Sequence, residues 1–173
     1  MEIEKKLLDS NNKFLKLFEQ DQSKRQRYQD LVKGQHPYAL IITCSDSRVI
    51  PEEIFNVGPG ELFVIRTAGN VINEGELATV EYAIEHLKVK YVLVLGHTHC
   101  GAVHASIHNE HGKYIDVILN RIRRSIGNET CECEASKKNA LAEAKFIKDK
   151  FPHYSGQVKA GLYDIETNKV TIL

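Results

Sequence analysis

Apolar residues are arranged along this chain in two rhythms, and the change from one to the other marks its elements. Tyr38 to Thr43, Glu61 to Arg66 and Tyr91 to Gly96 are short, β-branched and leucine-rich runs, as expected of strands buried on both faces. Between and after them the spacing becomes three and four. Leu77, Val80, Ile84 and Leu87 predict a helix over Glu76 to Leu87, Ile115, Ile118, Ile122 and Ile126 another, and Ala140, Ala144 and Ile147 the last long one. Pro51 opens a short helix, PEEIFN, and Gly58-Pro59-Gly60 turns the chain into the second strand. Gln157 to Asp164 and Lys169 to Leu173 read as closing strands joined by a turn over Glu166, Thr167 and Asn168.

Two helices, residues 2 to 19 and 23 to 33, precede any strand. The first carries Ile3, Leu7, Phe14 and Leu17 near one stripe, which suits packing either on its own sheet or on a second subunit. Gly34 stops the second helix and Pro37 holds the chain extended into the first strand. Strands alternating with helices predict an α/β fold: a mainly parallel central sheet of about four strands, an antiparallel C-terminal edge strand, flanking helices and an N-terminal helical arm. At 173 residues one domain is expected, with the arm over 1–34 and the α/β core over 35–173.

Charge narrows the partners. Lys and Arg total 23, as do Asp and Glu, so no global field favours nucleic acid or an anionic membrane. No run approaches the roughly 18 apolar residues of a membrane span, and MEIEKKLLDS lacks the apolar centre of a signal peptide, so the reading is cytoplasmic. Four cysteines in such a chain favour metal or redox use over disulfides.

The chemistry collects at two strand ends. The first strand runs into Cys44, Asp46 and Arg48, which share a face if the backbone stays extended; the third runs into His97, Thr98, His99, Cys100 and Gly101. In an open parallel sheet ligands gather beyond the carboxyl ends where strand order reverses, and strands one and three are the natural neighbours there. Two thiolates and an imidazole, Cys44, Cys100 and His97, form a Cys2His set that suits zinc, with the fourth position open or taken by the Asp46 carboxylate. If Arg48 instead grips Asp46 through a bidentate pair, that position opens. Asp46 on the metal is thus a closed form, and Arg48 the clamp that relieves it.

CSDSRV (44 to 49) and GHTHCGA (96 to 102) resemble the two zinc signatures of the β-class carbonic anhydrases, and the likeness extends through KGQHP, PGELFVIR, AGN, VEYAIEHLKV, Cys133-Glu134 with Asn139, and GLYDIETNKV. The resemblance implies one zinc per subunit on Cys44, His97 and Cys100, the Asp46–Arg48 dyad beside it, and Gln35, Phe63 and Tyr82 lining a CO2 and bicarbonate pocket near the interface of a homodimer or dimer of dimers. It implies reversible CO2 hydration by zinc-bound hydroxide. Two departures are visible: Arg66-Thr67 replaces the usual Arg-Asn, and Ile41 stands where some members carry the Trp of a regulatory bicarbonate site. Hydrolysis of a sulfur analogue of CO2 and a purely structural zinc module are the competing readings. His99, His104, His108 and His111 are candidates for proton relay. Cys131-Glu132-Cys133 reads as structural or incidental, and SKKNALAEAK (136–145) as a solvated helix face.

Overall fold

The computed structural model describes residues 2–173, which fall into two compact units, one ending at Gln35 and one spanning His36–Leu173. The first consists of α1 (Glu2–Gln20) and α2 (Gln22–Leu31). Asp21 caps α2, its carboxylate accepting from the Lys24 N–H at 2.9 Å. Phe14, Phe18 and Tyr28 join the two helices, with Phe18 edge-on to Tyr28 at 5.1 Å. The rest of the anticipated stripe stays open: Ile3, Leu7 and Leu17 are 75%, 68% and 68% exposed.

The second unit is built on a five-stranded sheet, β1 (Ala39–Cys44), β2 (Leu62–Thr67), β3 (Tyr91–His97), β4 (Gln157–Asp164) and β5 (Lys169–Ile172), ordered β2-β1-β3-β4-β5. The first four run parallel and β5 returns antiparallel to β4, as the sequence pattern implied. Alternation sends Leu40, Ile42, Val92 and Val94 to one face and Ala39, Ile41, Leu93 and Leu95 to the other. On the first face lie α4 (Glu74–Glu81) and α7 (Glu132–Lys150), through Val80, Ala140, Ala144 and Ile147. The second face is closed by α3 (Pro51–Ile54) and the residues after it, through Ile54, Phe55 and Val57. A third cluster at the carboxyl ends of the strands joins Cys44, Val71 and Cys100 to α5 (Gly101–Ile107) and α6 (Asp116–Ile126) through Val103, Ile122 and Ile126.

Three local differences from the sequence pattern have physical reasons. The helix expected over 76 to 87 begins at Glu74, where the Glu76 carboxylate accepts from the Asn73 N–H at 2.8 Å, and from Tyr82 to His86 it widens into a π turn closed by Leu87 N–H on the Tyr82 carbonyl. Both forms put Val80 and Ile84 in the core, so hydrophobic spacing does not separate them. Residues 136–145 are not simply a solvated face. Lys137 and Lys138 pair with Glu134 and Glu129, but Ser136, Asn139, Ala140, Glu143 and Ala144 are buried. Finally, α5 is a helix that the sequence pattern did not mark.

Candidate metal centre

β1 and β3 are adjacent and in parallel register, Thr43 opposite Leu95, so Cys44 at the end of one and His97 at the end of the other meet at one point. Both are buried, as is Cys100, which precedes α5. The two sulfurs lie 4.0 Å apart, and the three potential ligand atoms are all within 4.8 Å of one another. Zinc–sulfur bonds of about 2.3 Å at a tetrahedral angle place two sulfurs about 3.8 Å apart, close to the separation found. His97 supplies a second test of fit. Its Nδ1 donates to the Thr98 carbonyl at 2.8 Å, leaving Nε2 with a free lone pair, and that atom is fully buried without a hydrogen-bond partner. A buried imidazole nitrogen fixed in that tautomer beside two thiols fits zinc.

Without an ion the thiols behave as a pair. The two sulfurs share a hydrogen bond at 4.0 Å, and that contact lowers the Cys44 thiol while it and burial push Cys100 up. The opposed shifts reflect one contact between two thiols; a divalent cation held by both would displace their protons and leave two thiolates.

Beyond Cys44 the backbone does not stay extended. It turns, with Val49 N–H on the Asp46 carbonyl and Arg48 N–H on Asp46 Oδ1 at 3.0 Å, so Asp46 and Arg48 face each other across the turn rather than along a strand. The Arg48 guanidinium grips both carboxylate oxygens, Nε to Oδ1 at 2.9 Å and Nη2 to Oδ2 at 2.8 Å, and Nη2 also reaches the His99 carbonyl at 3.1 Å. His99 adopts φ 56°. Arg48 holds the Asp46 carboxyl well below the usual carboxylate range. The Asp46 carboxylate is thus taken up by Arg48 and is not among the three ligand-type atoms that cluster within 4.8 Å of one another.

Arg66 of β2 escaped functional notice in the sequence. Its Nη2 donates to the Asp46 carbonyl at 2.7 Å and its Nε to the Cys44 carbonyl at 3.2 Å, so it carries the backbone of the turn. Thr67, where the resemblance calls for Asn, donates to the Val71 carbonyl at 2.7 Å and closes the 68–70 turn. Of the pocket candidates, Phe63 and Tyr82 lie 6.0 Å apart between ring centroids and Tyr82 stacks on His86; Gln35 is exposed at the end of the first unit. The four histidines do not act as one group. His99 meets Glu166, His104 meets Glu132 and stacks on His108, and His111 meets Asp116.

Residues 39–151 match a family model described as carbonic anhydrase. The chain belongs to the carbonic anhydrase family. Among its relatives, a carbonic anhydrase of Synechococcus elongatus is 53% identical over 87 residues, 47% of this chain and 32% of that protein. Carbonic anhydrase 2 of Mycobacterium tuberculosis is 43% identical over 101 residues, 56% of this chain and 49% of the relative. The chain thus matches about a third to a half of the length of these carbonic anhydrases. In fold it is similar to the β-carbonic anhydrase CafA of Aspergillus fumigatus, with a TM-score of 0.86 at 26% identity over 98% of this chain and 89% of the other.

Proposed function

We propose that this chain is a zinc-dependent carbonic anhydrase that interconverts CO2 and bicarbonate, with Cys44, His97 and Cys100 as the ligands. The observation that carries the reading is a buried Cys2His cluster, its two sulfurs 4.0 Å apart, beside a carboxylate gripped by an arginine fork. Zinc in such a site acidifies a water and makes a nucleophile available near neutral pH.

The chain's own residues orient that chemistry. A carboxylate offers about four lone-pair sites. Oδ1 of Asp46 uses two, on the Arg48 N–H and Nε, and Oδ2 uses one, on Nη2. Oδ2 keeps one acceptor site, enough to accept a hydrogen bond from an attacking oxygen and aim its lone pair at the substrate carbon. Arg66 and the His99 carbonyl fix the turn and the fork from either side. Phe63 and Tyr82 give an aromatic wall suited to a small, uncharged, linear molecule.

The arm over 1–34 serves assembly. Ile3, Leu7 and Leu17 form an apolar surface of the kind that a second copy would cover, which favours a homodimer or a dimer of dimers. No helix among the described residues is long and apolar enough to cross a membrane. A reducing cytoplasm suits a site whose two thiols must stay reduced.

Stopped-flow CO2 hydration on zinc-quantified protein tests the function, with Cys44→Ala alongside. Hydration that is fast in the native chain and lost in the variant is the expected result. Stoichiometric zinc without hydration at any pH from 6.5 to 9 would overturn it.

A further inference from the structure

A backbone N–H meets one sulfur of the triad from a distant part of the chain. Gly69 N–H reaches Cys44 Sγ at 3.3 Å from 25 residues away in sequence. It lies in the short turn Ala68–Asn70 with φ 65°, in a gap where a Cβ would stand 2.7 Å from Ile122 Cδ1 and 3.1 Å from Ala102 Cβ.

That turn is held from α7. Asn139, fully buried, donates through Nδ2 to the Gly69 carbonyl at 2.8 Å. One helical turn on, Glu143 Oε2 accepts from the Ile72 N–H at 3.4 Å and is itself fixed by Arg121 through bonds of 2.5 and 2.8 Å. Asn139 and Glu143 therefore grip both ends of the 69–72 segment from one face of α7. The helix comes this close because β3 has Gly96 beneath it, where a Cβ would stand 3.1 Å from the Ser136 carbonyl oxygen and 3.3 Å from Ala140 Cβ.

We propose that Asn139 is a positioning residue of the metal centre: by fixing the Gly69 backbone it aims the Gly69 N–H at the Cys44 sulfur and so sets how much charge that thiolate passes to zinc. The role depends on zinc occupying the triad, as proposed above. Two thiolates neutralise the ion and weaken its pull on a bound water; an N–H on sulfur withdraws part of that charge and restores some of the pull. With the carbonyl side of Gly69 pinned, rotation about its permissive backbone is blocked and the N–H cannot turn away.

The experiment uses the full chain loaded with cobalt(II) and with cadmium-113. In the native cadmium form, scalar coupling between the metal and the Gly69 amide proton is expected across the N–H···S bond, and its absence would overturn the proposal whatever the variants do. Asn139→Leu, similar in volume but without a donor, should move the sulfur-to-cobalt charge-transfer band to lower energy. It should also lower zinc affinity in chelator competition by about 10- to 100-fold. Ser136→Ala, one turn earlier and with a hydroxyl that has no partner, should leave both unchanged. Folded Asn139→Leu with the native band and affinity would sink the assignment. A native chain that takes up no metal at all would instead overturn the zinc reading itself, and this inference with it.

Discussion

Arg48 shows how much one side chain's shape can matter. Its planar fork engages both oxygens of Asp46 and still reaches the His99 carbonyl, three acceptors that one lysine ammonium cannot hold in that geometry. Arg48→Lys is expected to retain stoichiometric zinc yet lose most hydration activity, at least about tenfold, and near-native turnover would remove the clamp from the mechanism. Glu143 is the second residue whose surroundings decide its behaviour. Burial pushes its carboxyl up, and Arg121, with Arg124 further off, only partly offsets this. A raised carboxyl binds its proton more tightly in the folded chain than in the unfolded one. Its contribution to stability is fully present below the unfolded value of about 4.5 and is lost as pH rises through the folded value. The native chain should therefore lose stability relative to Glu143→Gln across that window. Urea titrations at pH 4 and pH 7 measure this, and a difference independent of pH would show that Arg121 cancels the burial.

At the scale of elements, the turn Ala68–Asn70 and α6 fit against each other with no spare room. Gly69→Ala places a methyl in a left-handed conformation and against Ile122 Cδ1, and should cost about 2–3 kcal/mol. Ile122→Val removes that carbon, so the double variant should recover part of the loss in a thermal-unfolding cycle; strict additivity would place the cost in the backbone alone. The same elements explain what sequence could and could not disclose. The Cys44, His97 and Cys100 cluster was legible because these are unusual donors at the ends of apolar runs, and the parallel sheet with strands one and three adjacent followed from β–α alternation. Arg66 was not, because a charged residue in an edge strand looks like an ordinary solvent-facing position until its guanidinium is seen on two carbonyls. The Gly69 donor is a backbone group and leaves no side-chain signature. Asn139 and Glu143 were hidden among lysines that do face water. The π turn at Tyr82 keeps the same residues inward as the helix that the spacing implies.

At the scale of the whole molecule, the arm leaves several large apolar side chains exposed. Two helices with no buried residue contribute little stability of their own, and an exposed row of Ile3, Leu7 and Leu17 is a surface that water disfavours. Light scattering at micromolar concentration should give a dimer or larger, and Leu7→Asp with Leu17→Asp should shift it toward monomer; a native monomer would refute the assembly. The sulfur pair at the heart of the fold bears on the chain's life in air. Two cysteine sulfurs 4.0 Å apart would have to close by about 2 Å to become a disulfide, giving up two electrons and their protons to a peroxide, which leaves as water. Zinc held by Cys44 and Cys100 would engage a lone pair on each sulfur and oppose this. A chain that lost such an ion would be open to oxidation at the very residues needed to take it back, so metal supply and redox state would become a single requirement.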